Sequence, residues 1–223
     1  MGSHSAFKAV SDLPAVIAVF PLAGALLLPR GHMPLNIFEP RYLAMIDDAL
    51  RGNRLIGMIQ PEGDTEDKPG VPRLYSVGCV GRITQFAETG DGRYLVQLTG
   101  VSRFRVVGEE TVATPYRQCR ISAEPFAVDF TPRAGEDEVD RTTLIRVLRA
   151  YLIANNLQAD WEAIEQAPNE ALVNALSMMS PFDAREKQAL LEAASLKERA
   201  EILVAITEIE LAKGSSGSDS PLQ

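Results

Sequence analysis

The texture of this chain changes once, and that change limits what it can fold into. Up to Phe130, apolar residues come in short runs broken by Gly or Pro about every ten positions, the punctuation of a β-rich unit. Residues 131–140 (TPRAGEDEVD) are polar and acidic, and beyond them apolar residues recur at helical spacing. The expectation is an α+β chain with a β-rich domain over 13–130, a helical bundle over 136–212, and flexible termini at 1–12 and 214–223. With 46% hydrophobic and 23% charged residues among 223, both parts have material for a core.

Within the first part, residues 55–59 and 77–86 read as strands, with Gly78 and Gly81 as bend or bulge points. Asp91-Gly92, set between Gln85-Phe86 and the run 94–98, predicts a hairpin, because both residues tolerate the positive φ such turns need. Phe104 and Val106 alternate with Arg103 and Arg105, and Cys119 and Ile121 with Gln118, Arg120 and Ser122, as in half-buried strands. One helix is marked here by Glu39 at its cap, Pro40 at the first position, Tyr42, Leu43, Ile46 and Leu50 at helical spacing, and Gly52 as terminator.

Residues 13–28 (LPAVIAVFPLAGALLL) carry no charge, follow Lys8 and contain Ala23-Gly24-Ala25, features shared with a signal peptide. Against that, Pro14, Pro21 and Gly24 interrupt any helix, Asp12 spoils a positive flank, and the run falls short of the roughly 20 residues a span needs. Two buried strands, 16–20 and 25–28, around a Pro corner fit better, so a cytoplasmic chain without a membrane partner is expected. In the second part, Leu144, Val147, Leu148, Tyr151 and Leu152 form one stripe, and Asp160 caps a helix holding Trp161. Pro168 opens another with Leu172, Val173, Leu176 and Met179. Asp183 with Glu186 and Ser195 with Glu198 have capping-box spacing, and Leu203, Val204, Ile206 and Leu211 mark the last helix.

Chemistry is hard to find. Of two histidines, His4 lies near the terminus and His32 in a loop, Arg30-Gly31-His32-Met33-Pro34, with no partner in sight for nucleophilic catalysis. No phosphate-cradling Gly-Lys-Ser/Thr loop occurs, since Lys213-Gly214-Ser215 has the wrong order, and there is no nucleophile elbow, zinc-protease helix or calcium loop. Cys79 and Cys119 sit in strand-like apolar runs and read as buried free thiols, with no metal or other cofactor implied. The carboxylates Asp47-Asp48, Glu109-Glu110 and Glu136-Asp137-Glu138 read as solvated faces. Arg103-Phe104-Arg105 could stack and pair with RNA, but a net charge of −8 opposes it, and a strand with Phe104 inward and both arginines outward is expected.

Residues 18–22 (AVFPL), Leu28-Pro29 and residues 33–42 (MPLNIFEPRY) together resemble the opening of the Lon substrate-binding domain family. Residues 74–83 (LYSVGCVGRI) look like that family's hallmark strand, followed by the Asp91-Gly92 hairpin and residues 98–105 (LTGVSRFR). The resemblance covers about residues 13–126 closely and runs more loosely to about 211, and the Phe-Glu-Pro-Arg-Tyr form is similar to stand-alone bacterial members. It implies a PUA-like antiparallel β-barrel with one helix, followed by a helical bundle, and a non-catalytic role in holding unfolded polypeptide or a partner protein. In Lon proteases ATPase and peptidase modules follow this region, and this chain ends where they would begin. The family supplies no catalytic residues. Peptide contacts are expected at Leu35, Phe38 and Tyr42 around the loop-to-helix junction, the alternative being that these three pack the helix onto the barrel. An RNA-binding PUA-like protein and a hydrolase are the competing functions; the oligomeric state is left open.

Overall fold

Two long strands organise the sheet in the computed structural model, which describes residues 7–68 and 71–216. Strands β6 (Val77–Glu88) and β7 (Tyr94–Glu109) form the hairpin expected at Asp91-Gly92, where only Gly92 adopts positive φ. The turn closes through Thr89 N–H to Arg93 O and Gly92 N–H to Thr89 O. Outside this pair lies β2 (His32–Ile37), antiparallel to β7, so His32 opens a strand rather than sitting in a loop. On the other side come β3 (Leu55–Ile59), β1 (Val16–Pro21) and β8 (Gln118–Ser122), and β8 also pairs with the far end of β7. A separate short pair joins β4 (Pro61–Lys68) to β5 (Val71–Leu74).

The sheet is mostly antiparallel, as the resemblance implies, with one parallel pair, β1 and β3; a parallel pair needs a long crossover, and β2 with helix α1 (Pro40–Arg51) supplies it. One expectation is corrected here. Residues 25–28 are not a strand. Leu26, Leu27 and Leu28 are fully buried, but the segment crosses β7 instead of pairing along it. The crossing is so close that a Cβ on Gly100 would stand 2.0 Å from Leu28 O, while Arg30 N–H bonds Gly100 O. Burial alone shaped that apolar run, and no ladder was required.

The expected start and stop of α1 hold, with Glu39 at the cap, Pro40 first and Gly52 at the end. Tyr42, Met45, Ile46 and Ala49 are its buried face. Asp47 and Asp48 are not merely solvated: Tyr94 Oη donates to Asp47 at 3.0 Å and Tyr116 Oη to Asp48 at 2.7 Å, tying α1 to β7 and to the segment that precedes β8.

Helices α2 (Arg141–Ala154), α3 (Trp161–Gln166), α4 (Asn169–Met179), α5 (Ala184–Glu192) and α6 (Leu196–Ser216) follow. Their starts are chemically marked, since Asp140, Asp160 and Asp183 each accept a first-turn amide. At α6, Ser195 Oγ accepts from Glu198 N–H, but the Glu198 carboxylate takes Ala194 N–H, one residue earlier than in a capping box. Glu136 is buried, paired with Arg133, rather than part of a solvated acidic face. Of the termini expected to be flexible, 1–6 and 217–223 lie outside the described residues; Val10–Asp12 make a 3₁₀ turn and 214–216 complete α6.

The expectation that both arginines flanking Phe104 face outward fails at Arg103, which is 2% exposed. A register shift between Val80 and Gly81 leaves Val101 as an extra residue on β7. Beyond that bulge Phe104 enters one apolar cluster with Ile17, Val19 and Cys119, and Arg103 turns to the helical side. There its backbone N–H, Nε and Nη2 all donate to the Asp129 carboxylate at 2.8–2.9 Å, and Nη1 donates to Leu191 O and Ala193 O. Removing one partner of a buried pair strands the other, so Asp129→Asn is expected to lose about 3–5 kcal/mol in urea unfolding, and the double change Arg103→Met with Asp129→Leu markedly less.

Candidate functional site

Beside the polar seam at Arg103, the structure leaves a substantial apolar groove open. It runs between the start of β2 and α4, encloses about 660 Å³, and is lined by Leu26, Met33, Pro34, Ala175, Met178 and Met179 among others. Successive turns of α4 supply one wall, since 170/171, 174/175 and 178/179 recur at helical spacing. The loop 29–31 sets the distance between the walls. Asn174 Nδ2 donates to Pro29 O at 3.2 Å, and Met178 lies so tightly over Gly31 that a Cβ there would meet its Sδ at 2.4 Å. Arg30, held at φ 65°, donates to both carboxylate oxygens of Glu170 on α4 and to Asp129 O at 2.6 Å. A non-glycine residue in the left-handed region costs free energy that this double anchoring offsets.

The groove meets a shallower depression of about 520 Å³ at Pro34, which lines both. That second hollow lies over β2, β6 and β7 and takes Leu35, Phe86 and Leu95 into its lining. β2 is the outermost strand of the sheet. Gly100 N–H bonds Gly31 O, and ladder alternation then points Met33 and Leu35 at β7 and Pro34 at the open edge, where it has no N–H to offer. An incoming chain therefore finds apolar side chains there and an interrupted row of backbone donors.

The three residues expected from sequence are not gathered around one cavity. Leu35 is half-buried in the shallow hollow, and Phe38 stands 61% exposed just past β2 with the Arg93 guanidinium 6.0 Å from its ring. Tyr42 is 6% exposed and packs against Phe20 with ring centroids 4.2 Å apart. Sequence reasoning missed Met33, Met178 and Ala175 and placed Met179 on the inner stripe of α4, whereas Met179 is 83% exposed. The available signal was the pair Met178-Met179 at the end of a helix already supplied with Leu172 and Val173 for its core.

Little else offers reactivity. Burial, then Asp129, pushes the Cys79 thiol far up, and burial, then Glu109, pushes Cys119 up to about 11, so neither is a thiolate at neutral pH. His32 Nδ1 lies 3.1 Å from Thr99 Oγ1. Among the described residues no group of three His, Cys, Asp or Glu side chains could hold a metal, and no helix is long and apolar enough to cross a membrane. Arg103, half of the basic pair considered for RNA, is consumed by Asp129 inside the fold.

Comparison with known proteins bears on this arrangement. The family model of the ATP-dependent protease La (LON) substrate-binding domain matches residues 16–208. The chain is similar to a Lon protease of Anaeromyxobacter dehalogenans (strain 2CP-C), 28% identical over 221 residues, covering 95% of this chain and 25% of that protein. It is also similar to Lon protease 2 of Sorangium cellulosum (strain So ce56), 30% identical over 202 residues, covering 87% and 25%. The chain thus spans about a quarter of the length of these curated relatives. Among solved structures, a Lon N-terminal domain protein from Xanthomonas campestris superposes with TM-score 0.59 at 22% identity, covering 85% of this chain and 97% of that one. The N-terminal domain of Mycobacterium avium complex Lon protease gives 0.61 at 18%, covering 86% and 98%. Both likenesses show the fold.

The three expected residues differ in burial, and so in what their removal should cost. Tyr42→Ala should cost about 3–5 kcal/mol in chemical unfolding, as for other buried aromatics, whereas Phe38→Ala should stay within about 0.5 kcal/mol of the parent.

Proposed function

Because the chain belongs to the Lon substrate-binding domain family, we propose that it is a non-catalytic module that holds unfolded polypeptide in the groove between β2 and α4. The observation that carries this reading is the lining itself: a 660 Å³ trough walled by Met33, Met178 and Met179, open to solvent, in a chain of this family. Thioether side chains are unbranched and polarisable, so they reshape around different apolar residues, which suits affinity without a fixed sequence. Leu35 and Phe38 extend the track past Pro34, and Tyr42 holds α1 in place beneath them through Phe20. Apolar contact supplies most of the affinity, since Pro34 limits strand addition along β2.

The same reading covers the architecture. A PUA-like barrel over 13–130 is supported by β8 pairing with both β1 and β7, which carries hydrogen bonding around five strands. A helical bundle over 136–212 is supported by the run of helices from Arg141 onward. The groove then lies at the seam of the two units, where relative placement of their surfaces can create a concavity neither has alone.

A charge placed in the groove tests the proposal. Ala175→Asp and Met179→Asp should each weaken binding of a fluorescein-labelled, chemically unfolded polypeptide about tenfold or more in anisotropy titrations, with melting temperature within about 2 °C of the parent. Val107→Asp, at an exposed apolar site outside the groove, should leave affinity unchanged. Groove variants that bind as tightly as the parent would sink the assignment.

A further inference from the structure

Depth sorts the sulfur atoms of this chain. Met45 on α1 and Met58 on β3 are 0% and 3% exposed, inside the core. Met33 and Met178 are half-buried and Met179 is 83% exposed, and all three line the β2–α4 groove. Among the described residues, every methionine that solvent reaches therefore lies on one trough. The cysteines offer no competition, since Cys79 and Cys119 are 1% and 0% exposed and burial holds both as thiols. An oxidant arriving from solvent meets thioethers first, and meets them on the apolar wall.

Exposure also sets an order within the three, because susceptibility of a thioether follows access. Met179 closes α4 with little cover. Met178 precedes it, but its Sδ is seated against Gly31, so the 29–31 loop shields one side. Met33 lies in the ladder with β7, opposite Leu98. Oxidation converts each from an adaptable apolar chain into a polar one of similar reach. A sulfoxide sets a strong acceptor and a dipole where the thioether stood. An apolar segment laid over it strips water from that oxygen and returns no donor.

We propose that Met179, with Met33 and Met178 behind it, is a site of reversible oxidation by hydrogen peroxide, and that the sulfoxide form releases the apolar segment that the thioether form holds. The inference rests on the groove being a polypeptide site, and it adds regulation to that reading. In the forward step the thioether sulfur gives its lone pair to one peroxide oxygen and the O–O bond breaks. Sulfoxide and water result, the sulfur losing an electron pair and the peroxide gaining it. In the reverse step a pair of thiols on a sulfoxide reductase leaves as a disulfide, and thioether and water are restored.

The experiment treats the full chain with dilute hydrogen peroxide, quenches it with catalase, and divides it between peptide mapping by mass spectrometry and anisotropy titration with fluorescein-labelled, chemically unfolded polypeptide. Oxygen should appear at Met179 first and then at Met33 and Met178, with Met45 and Met58 unmodified under native conditions. Affinity should fall about tenfold as the three are oxidised, and should return on incubation with sulfoxide reductases for both epimers and a dithiol. A chain carrying Met33→Leu, Met178→Leu and Met179→Leu, whatever its starting affinity, should bind equally before and after peroxide. Oxygen at Met45 and Met58 as early as at Met179 overturns the site, and an oxidised parent that binds as tightly as the untreated one overturns the switch; the groove survives either result. If the untreated parent binds no polypeptide, the groove reading falls and takes this inference with it. Should the triple variant fail to fold, judged by its melting curve, loss and reductase-driven return of affinity in the parent still decide the matter.

Discussion

The buried contact between Arg103 and Asp129 is the constraint on which the rest of this structure turns. A single extra residue on β7, Val101, rotates Arg103 from the alternation expected of a strand into the helical side. Once there, it cannot stay unpaired, and the carboxylate it meets is Asp129, on the 3₁₀ segment Glu124–Phe130 that leads out of the sheet. Its remaining donors go to the carbonyls of Leu191 and Ala193 at the end of α5. Arg199 and Asn174 extend the polar contacts to Pro29 O. Such a pair adds little net stability over an apolar filling, but its hydrogen bonds are satisfied in one arrangement only. The sheet, the 29–31 loop, α4, α5 and α6 are thereby held in one register.

That register explains why a groove stays open where apolar surfaces would otherwise close. α4 is held off β2 by Asn174 at one level, by Arg30 and Glu170 at the next, and by Met178 seated on Gly31. Each contact joins the helix to the loop rather than to the strand, so the space beyond the loop remains unfilled. A strained Arg30 persists there because Glu170 and Asp129 O both hold it. Met179, left outside such a brace, is 83% exposed and open to an apolar partner from outside.

What could be read from the sequence was local. The strand at 77–86, the alternation of Cys119 and Ile121 in β8, the turn at Asp91-Gly92, the Pro40 to Gly52 limits of α1 and the caps at Asp160 and Asp183 each depend on neighbours a few residues away, and each was legible. The parallel pairing of β1 with β3, the crossing of 25–28 over Gly100 and the inward turn of Arg103 depend on partners 26 to 90 residues distant, and a strand's alternation does not reveal a bulge within it. The groove was illegible for the same reason. Met33 and Met178 are ordinary core candidates on their own elements, and only the brace through Arg30 and Asn174 makes them a surface.

The separation of apolar and charged features has a kinetic consequence. The groove offers contact that salt hardly weakens, whereas the whole chain carries −8 and presents that field to anything approaching. On the proposed reading, encounter is favoured for basic or neutral segments and disfavoured for acidic ones, while residence depends on how well apolar side chains settle among the methionines. Raising ionic strength flattens the first selection and spares the second. The proposed role in holding unfolded chains fits that division, because exposed apolar residues mark an unfolded segment whatever its charge, and long-range repulsion alone would discriminate by composition rather than by folding state.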